Sequence, residues 1–218
     1  MVVPDKIIRS NRKTLAVSID RFGVVTVRAP KRCADERIFS FLREKQNWIL
    51  RKKSQMQGAG MALPSENLDG YAFLLLGKTR KIRLYDEKKV RINDEELFVP
   101  KDKSKERLVA WLKDNAKRIL LPVTQDKAKE MGVAVSAVRI SSAKTRWGSC
   151  SAKNTISYSF RLLYAPKEVV EYVVYHELAH IRHKNHSKKF WTEVERYCKD
   201  WKQKRKWLKD HAFVMEIF

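Results

Sequence analysis

The stretch from Val173 to Trp191, VVYHELAHIRHKNHSKKFW, constrains the fold more than any other. It puts four histidines within eleven residues and seats a carboxylate, Glu177, directly after the first of them. On a helix that advances 100° per residue from Val169, His176 and His180 fall at about 340° and about 20°, one turn apart on one face. Val173, Val170, Ile181, Val174 and Leu178 fill an arc from about 40° to about 180°, and Glu177 lies inside it at about 80°. Glu171, Tyr175 and Arg182 occupy the far side and are expected to face water. Patterning alone would put Val or Leu at position 177. A carboxylate in apolar surroundings is costly unless a cation answers it. The sequence therefore predicts a helix whose buried face is built around a positive charge.

A metal ion is the simplest such charge. Histidines at i and i+4 can turn two imidazole nitrogens toward one ion, and HELAH matches H-E-x-x-H. The Glu between them reaches a metal-activated water without ligating the metal. Imidazole suits zinc, and catalytic zinc sites use three protein ligands plus a water. His183 shares the face, but lies about 10 Å along the axis from His176. That is too far to share an ion in a straight helix, so His183 is expected beside the site or at the surface. His186 can return beneath the metal if the helix stops near His183 and a turn follows, with Asn185 suited to a left-handed turn position. Ser187 is then placed to cap the next helix. The expected site is His176, His180 and His186 as ligands with Glu177 as general base.

TRWGSCS, at 145–151, supplies Arg146 as a candidate substrate or oxyanion contact, set against a structural ion pair. Trp147, Gly148 and Cys150 read as a strand and turn packed against the metal helix, with Gly148 permitting close approach. A nucleophilic role for Cys150 is disfavoured, because the metal motif already employs the histidines. Glu193 is a candidate acceptor for a ligand histidine or a solvent-facing residue. Phe190, Trp191, Cys33 and Cys198 read as core, and Met215 as part of an apolar tail.

The rest of the chain sets the frame. Its 218 residues allow one large domain or two small ones, and 44% hydrophobic with 33% charged residues reads as globular. No run is apolar enough for a membrane span, and the N-terminus lacks the apolar stretch of a secretory signal. The three cysteines are widely spaced and odd in number, which suggests reduced thiols and a cytoplasmic setting. A net charge of +22 favours polyanion partners or anionic substrates, although its cations are spread along the chain. TLAVSID and GVVTVRAP read as a hairpin around residues 20–23, followed by an amphipathic helix from Ala34 to about Gln57 and a loop over GAGMALPSENLDG. YAFLLLG, RKIRLYD, KVRIN and ELFVP look like antiparallel hairpins. A helix follows from Ser104 to about Met131, with a kink or break expected at Pro122. AVRI and TISYSF read as strands, and Pro166 opens the metal helix. A soft boundary near Pro100 divides a β-rich region with one helix, 1–100, from a helix-rich catalytic region, 101–218; the two could form one continuous domain. No internal repeat is visible.

LLYAPKEVVEYVVYHELAHIRHKNHSKKFW, preceded by TRWGSCS, resembles the YgjP-like metallopeptidase family of zincins. EKQNWILRKK and LLLGKTRKIRL extend the likeness more weakly into the N-terminal half. The resemblance implies an α+β, zincin-like metallopeptidase domain behind an N-terminal antiparallel β-rich region, with a small sheet whose edge borders the cleft. It also implies zinc held by His176, His180 and His186, with Glu177 catalytic. The activity expected is zinc-dependent hydrolysis of peptide bonds in a polypeptide substrate. Two alternatives use the same features: a metal-dependent nucleoside triphosphate pyrophosphatase, and a nucleic-acid-associated metalloprotein. No glycine-rich phosphate loop or acidic magnesium cluster supports the first. Steep salt dependence of DNA binding would mark the second.

Overall fold

A computed structural model describes residues 2–19, 23–58 and 67–217. The chain divides into two compact units, Met1–Ser65 and Glu66–Phe218. The strands between residues 72 and 100 thus sit with the helical half, and the division falls well before Pro100. Two ties account for this. The helix Ser104–Met131 packs on the strand Glu96–Pro100 that precedes it, and the Leu76 amide donates to the Leu163 carbonyl at 2.7 Å.

The first unit holds β1 (Lys6–Ser10), β2 (Ala16–Ile19), β3 (Val25–Pro30) and α1 (Asp35–Gly58). β2 and β3 pair antiparallel, Ile19 opposite Val25, as the alternating pattern predicts. Of the residues between them, 20–22 lie outside the described residues, as do positions 59–66 of the expected loop. β1 was not legible as a strand, and it pairs parallel to β3. Val25, Val27 and Ala29, alternating on one face of β3, pack against Ile38, Leu42 and Ile49 of α1 to form a core.

The second unit runs β4 (Ala72–Leu75), β5 (Lys78–Tyr85), β6 (Arg91–Ile92), β7 (Glu96–Pro100) and α2 (Ser104–Met131). It continues with β8 (Ala137–Ser141), β9 (Gly148–Cys150), β10 (Thr155–Ser159) and a 3-10 segment, Phe160–Tyr164. Helices α3 (Lys167–Arg182), α4 (Lys188–Tyr197) and α5 (Trp201–Asp210) follow, ending in a 3-10 turn at Ala212–Glu216. The sheets run β4-β5-β7-β6 and β8-β10-β9. The expected succession of hairpins is corrected here, because β5 and β7 pair in parallel. The chain leaves β5, forms the two-residue β6, and returns as β7 between them. The expected break at Pro122 does not occur either. α2 continues through it, with the proline exposed and the buried stripe Leu108, Leu112, Ala116, Leu120, Thr124 and Ala128 uninterrupted.

One arrangement recurs three times among the described residues. β3, β7 and β10 each lie between the two preceding strands, parallel to the first and antiparallel to the second. Each leads into a long helix: α1, α2 and, after the 3-10 segment, α3. No sequence repeat announces this, since the shared features are strand order and direction. In the third copy the order leaves β9 at the sheet edge, beside α3. Among the described residues no helix is long and apolar enough to cross a membrane.

Candidate metal centre

Helix α3 is capped at its N-terminus by Pro166 and ends at His183, whose backbone is extended at φ −126° and ψ 95°. The chain then turns, and α4 begins after Ser187, which occupies the cap position without a side-chain hydrogen bond. The turn swings His186 back toward the helix. One ligand nitrogen each from His176, His180 and His186 lies within 4.8 Å of the others. The His186 and His176 Nε2 atoms are 3.1 Å apart. Nitrogens sharing one tetrahedral zinc at its ordinary bond length stand about 3.3 Å apart. Asn185 does not take the left-handed conformation expected of it; the described non-glycine residues that do are Leu76, Lys103 and Asn154. The turn is instead held from outside: Lys184 Nζ donates to Asn154 Oδ1 at 2.9 Å and to the Ser151 carbonyl at 3.3 Å.

His183 contributes its backbone. The His180 Nδ1–H donates to the His183 carbonyl at 2.9 Å, which fixes the tautomer and leaves the Nε2 lone pair toward the other rings. Phe190 forms the floor, fully buried, with ring centroids 4.9, 4.5 and 4.8 Å from those of His176, His180 and His186. Trp191 stacks on His186 at 5.6 Å and on Trp201 at 4.2 Å. Truncating a fully buried aromatic ring costs about 3–5 kcal/mol. Phe190→Ala should therefore lower unfolding stability by that amount in denaturant titration, and weaken metal retention by loosening three rings together.

Glu177 is 5% exposed, and burial pushes its carboxyl up to about 8, with the Arg146 charge pulling the other way. Burial, assisted by His180, His186 and Arg205, holds the His176 imidazole down to about 3, and His180 is shifted the same way. These rings are neutral, which is the ligating form. Glu177 Oε2 and His176 Nδ1 are buried without a hydrogen-bond partner. Buried polar atoms are rarely left so. A divalent cation among the imidazoles would supply the charge that the buried carboxylate lacks, so the donor set and its surroundings fit a metal ion. A cavity of about 370 Å³ opens on this group, lined by Arg146, Gly148, Tyr172, His176, Glu177 and residues of α5.

The neighbouring residues divide as follows. Gly148 is placed as expected: a Cβ there would lie 2.6 Å from Glu177 Oε1. Cys150 is half-buried and its thiol is pushed up, mainly by burial, so it remains a protonated thiol at neutral pH. Glu193 serves neither candidate role. It pairs with Arg182, whose guanidinium also donates to the Met131 and Gly132 carbonyls, tying the ends of α2 and α3 to α4. Tyr175 does not face water; it is buried, stacks on Tyr197 at 5.7 Å and donates to Glu130 at 2.8 Å.

The YgjP-like metallopeptidase domain matches residues 13–211. The chain belongs to the YgjP-like metallopeptidase family. It is accordingly a hydrolase of the metallopeptidase class, and the match spans both compact units. Among solved structures, the metallopeptidase zymogen abylysin of Pyrococcus abyssi is similar, with 26% identity, 42% of this chain and 93% of that one covered, and a TM-score of 0.38. The metallopeptidase zymogen jannalysin of Methanocaldococcus jannaschii shares 20% identity over 40% of this chain and 94% of its own, with a TM-score of 0.35. No curated protein matches the chain. The sequence pattern pointed to the histidines and Glu177 of this family member, but gave no role to Lys184, Arg205 or the Phe190 floor. Their side chains act across the fold, where no helical spacing reports them.

Proposed function

We propose that this metallopeptidase is a zinc-dependent peptidase in which His176, His180 and His186 hold the ion and Glu177 is the general base. The observation that carries the reading is the convergence of three imidazoles beside a buried carboxylate that lines a cavity together with His176. A zinc ion held there supplies Lewis acidity, polarising a carbonyl and acidifying water. Glu177 takes a proton from water in the cavity and delivers it to the departing amine, a role favoured by its raised proton affinity. Gly148 keeps that carboxylate in place by pressing against it without a side chain. Arg146, lining the same cavity, donates to the carbonyl oxygen as charge develops on it. β9 is an edge strand, so an extended substrate can add to it antiparallel and lie across the cavity.

Metal removal tests the reading. A chelator should abolish hydrolysis of an unstructured protein, and zinc should restore it where magnesium does not. Nucleoside triphosphates and single-stranded DNA offered in parallel should remain intact. Hydrolysis of a triphosphate in place of protein would overturn the peptidase assignment.

A further inference from the structure

One wall of the cavity is made by α5 and the turn after it. Arg205, Leu208, Lys209 and Ala212 all line it, at positions i, i+3, i+4 and i+7, so one helical face is turned into the cavity. On such a face patterning expects apolar residues, and two of the four are cations. With Arg146 they make three positive side chains around a cavity whose lining includes one carboxylate, Glu177. That carboxylate is already assigned beside the histidines.

The acids that flank α5 do not pair with Arg205. Asp200 pairs with Lys204 and Asp210 with Lys206, each four residues apart. Among the described residues neither Arg205 nor Arg146 makes an ion pair. Arg205 is instead positioned by an aromatic stack: its guanidinium sits 4.9 Å from the centre of the Trp191 ring, and Trp191 stacks on His186. This holds a planar, bidentate donor at the edge of the cavity without neutralising it. A divalent ion among the histidines would add to the same positive field. Anionic groups enter such a cleft favourably, and a lysine side chain is repelled.

We propose that this cavity is a specificity pocket for a carboxylate, so that the enzyme favours peptides presenting Glu, Asp or a free C-terminus beside the scissile bond, with Arg205 as the recognising residue. The inference rests on the peptidase reading above. Leu208, Val173 and Tyr172 give the pocket an apolar lining that takes the methylenes of a glutamate, while Arg205 takes its end.

The test uses an alanine hexapeptide series with Glu, Gln, Lys or Phe at each position flanking the scissile bond, every peptide made as acid and as amide. Cleavage is followed by mass spectrometry. Binding of the same peptides, fluorescently labelled, is measured by anisotropy on the full-length Glu177→Gln protein with and without zinc. A Glu peptide should exceed its Gln counterpart by roughly tenfold in kcat/KM and in affinity, with Lys lowest, and the margin should shrink with salt. Arg205→Gln should remove the margin, and Arg205→Glu should shift preference toward Lys. Acid and amide forms distinguish a side-chain carboxylate from a chain end. Equal cleavage and binding of Glu and Gln peptides, or a preference for Phe, would overturn the proposal. Failure to cleave any peptide would count against the peptidase reading, and the binding arm would still decide the carboxylate preference.

Discussion

Glu177→Gln should lower turnover of the metal-loaded enzyme by about 10²- to 10⁴-fold while leaving its zinc content unchanged. The substitution keeps the shape of the side chain, so the contact with Gly148 and the floor of the cavity are preserved. It removes the carboxylate placed to accept a proton beside the imidazoles. The donor nitrogens are untouched, so metal analysis should give the same stoichiometry as the parent protein. The amide also needs no counter-charge, so the metal-free variant should be no less stable than the parent. The effect should fall on kcat more than on KM, because the proton transfer belongs to the transition state. Retention of more than a tenth of the parent turnover would remove Glu177 from the role of base.

Gly148→Ala should be nearly as damaging without touching an ionisable group. The added methyl carbon would lie 2.6 Å from Glu177 Oε1, 2.8 Å from its Cγ and 2.9 Å from its Cδ. Contacts that short force one partner to move. α3 is buried along most of its length around Glu177, and β9 is held by β10 through the Cys150–Ile156 and Gly148–Tyr158 pairs. Overpacking of this kind costs about 1–3 kcal/mol of stability. The carboxylate is the freest element, so it yields, and a displacement of about 1 Å at a reacting group lowers rate on the order of 10²-fold. Metal content should persist, because the atoms nearest to an added methyl at residue 148 belong to Glu177 rather than to a histidine. Unaltered kcat in this variant would show that the carboxylate needs no such support.

How much of this could be read from the chain varies with the origin of each feature. Glu177 inside an apolar arc and histidines at i and i+4 are properties of one helix, and helical geometry carries them directly into space. His186 was legible because a turn of few residues leaves little freedom for where its ring can go. The boundaries of α2 followed from its periodicity and its flanking turn, and Pro122 misled because a proline on an exposed face removes a hydrogen bond whose carbonyl can meet water. Strand direction was misread in β5 and β7. Alternation marks a strand's two faces equally well whether its neighbour runs parallel or antiparallel. Tyr175 was assigned to water on its helical angle, yet α2 and α4 cover that side of α3 as well. Glu193 and Arg182 are separated by eleven residues and belong to different helices, so their pairing depends on the packing of α4 against α3.

Beneath all of these expectations stands the joint coordination of one divalent ion by three imidazoles. Zinc titration against a chromophoric competitor, on the parent and on four single alanine variants, addresses it most directly. The parent should bind one equivalent tightly; His176→Ala, His180→Ala and His186→Ala should each weaken that binding by at least about 10²-fold; and His183→Ala, which keeps the carbonyl that orients His180, should bind like the parent. Parent-like affinity in His186→Ala, or its loss in His183→Ala, would contradict the assignment.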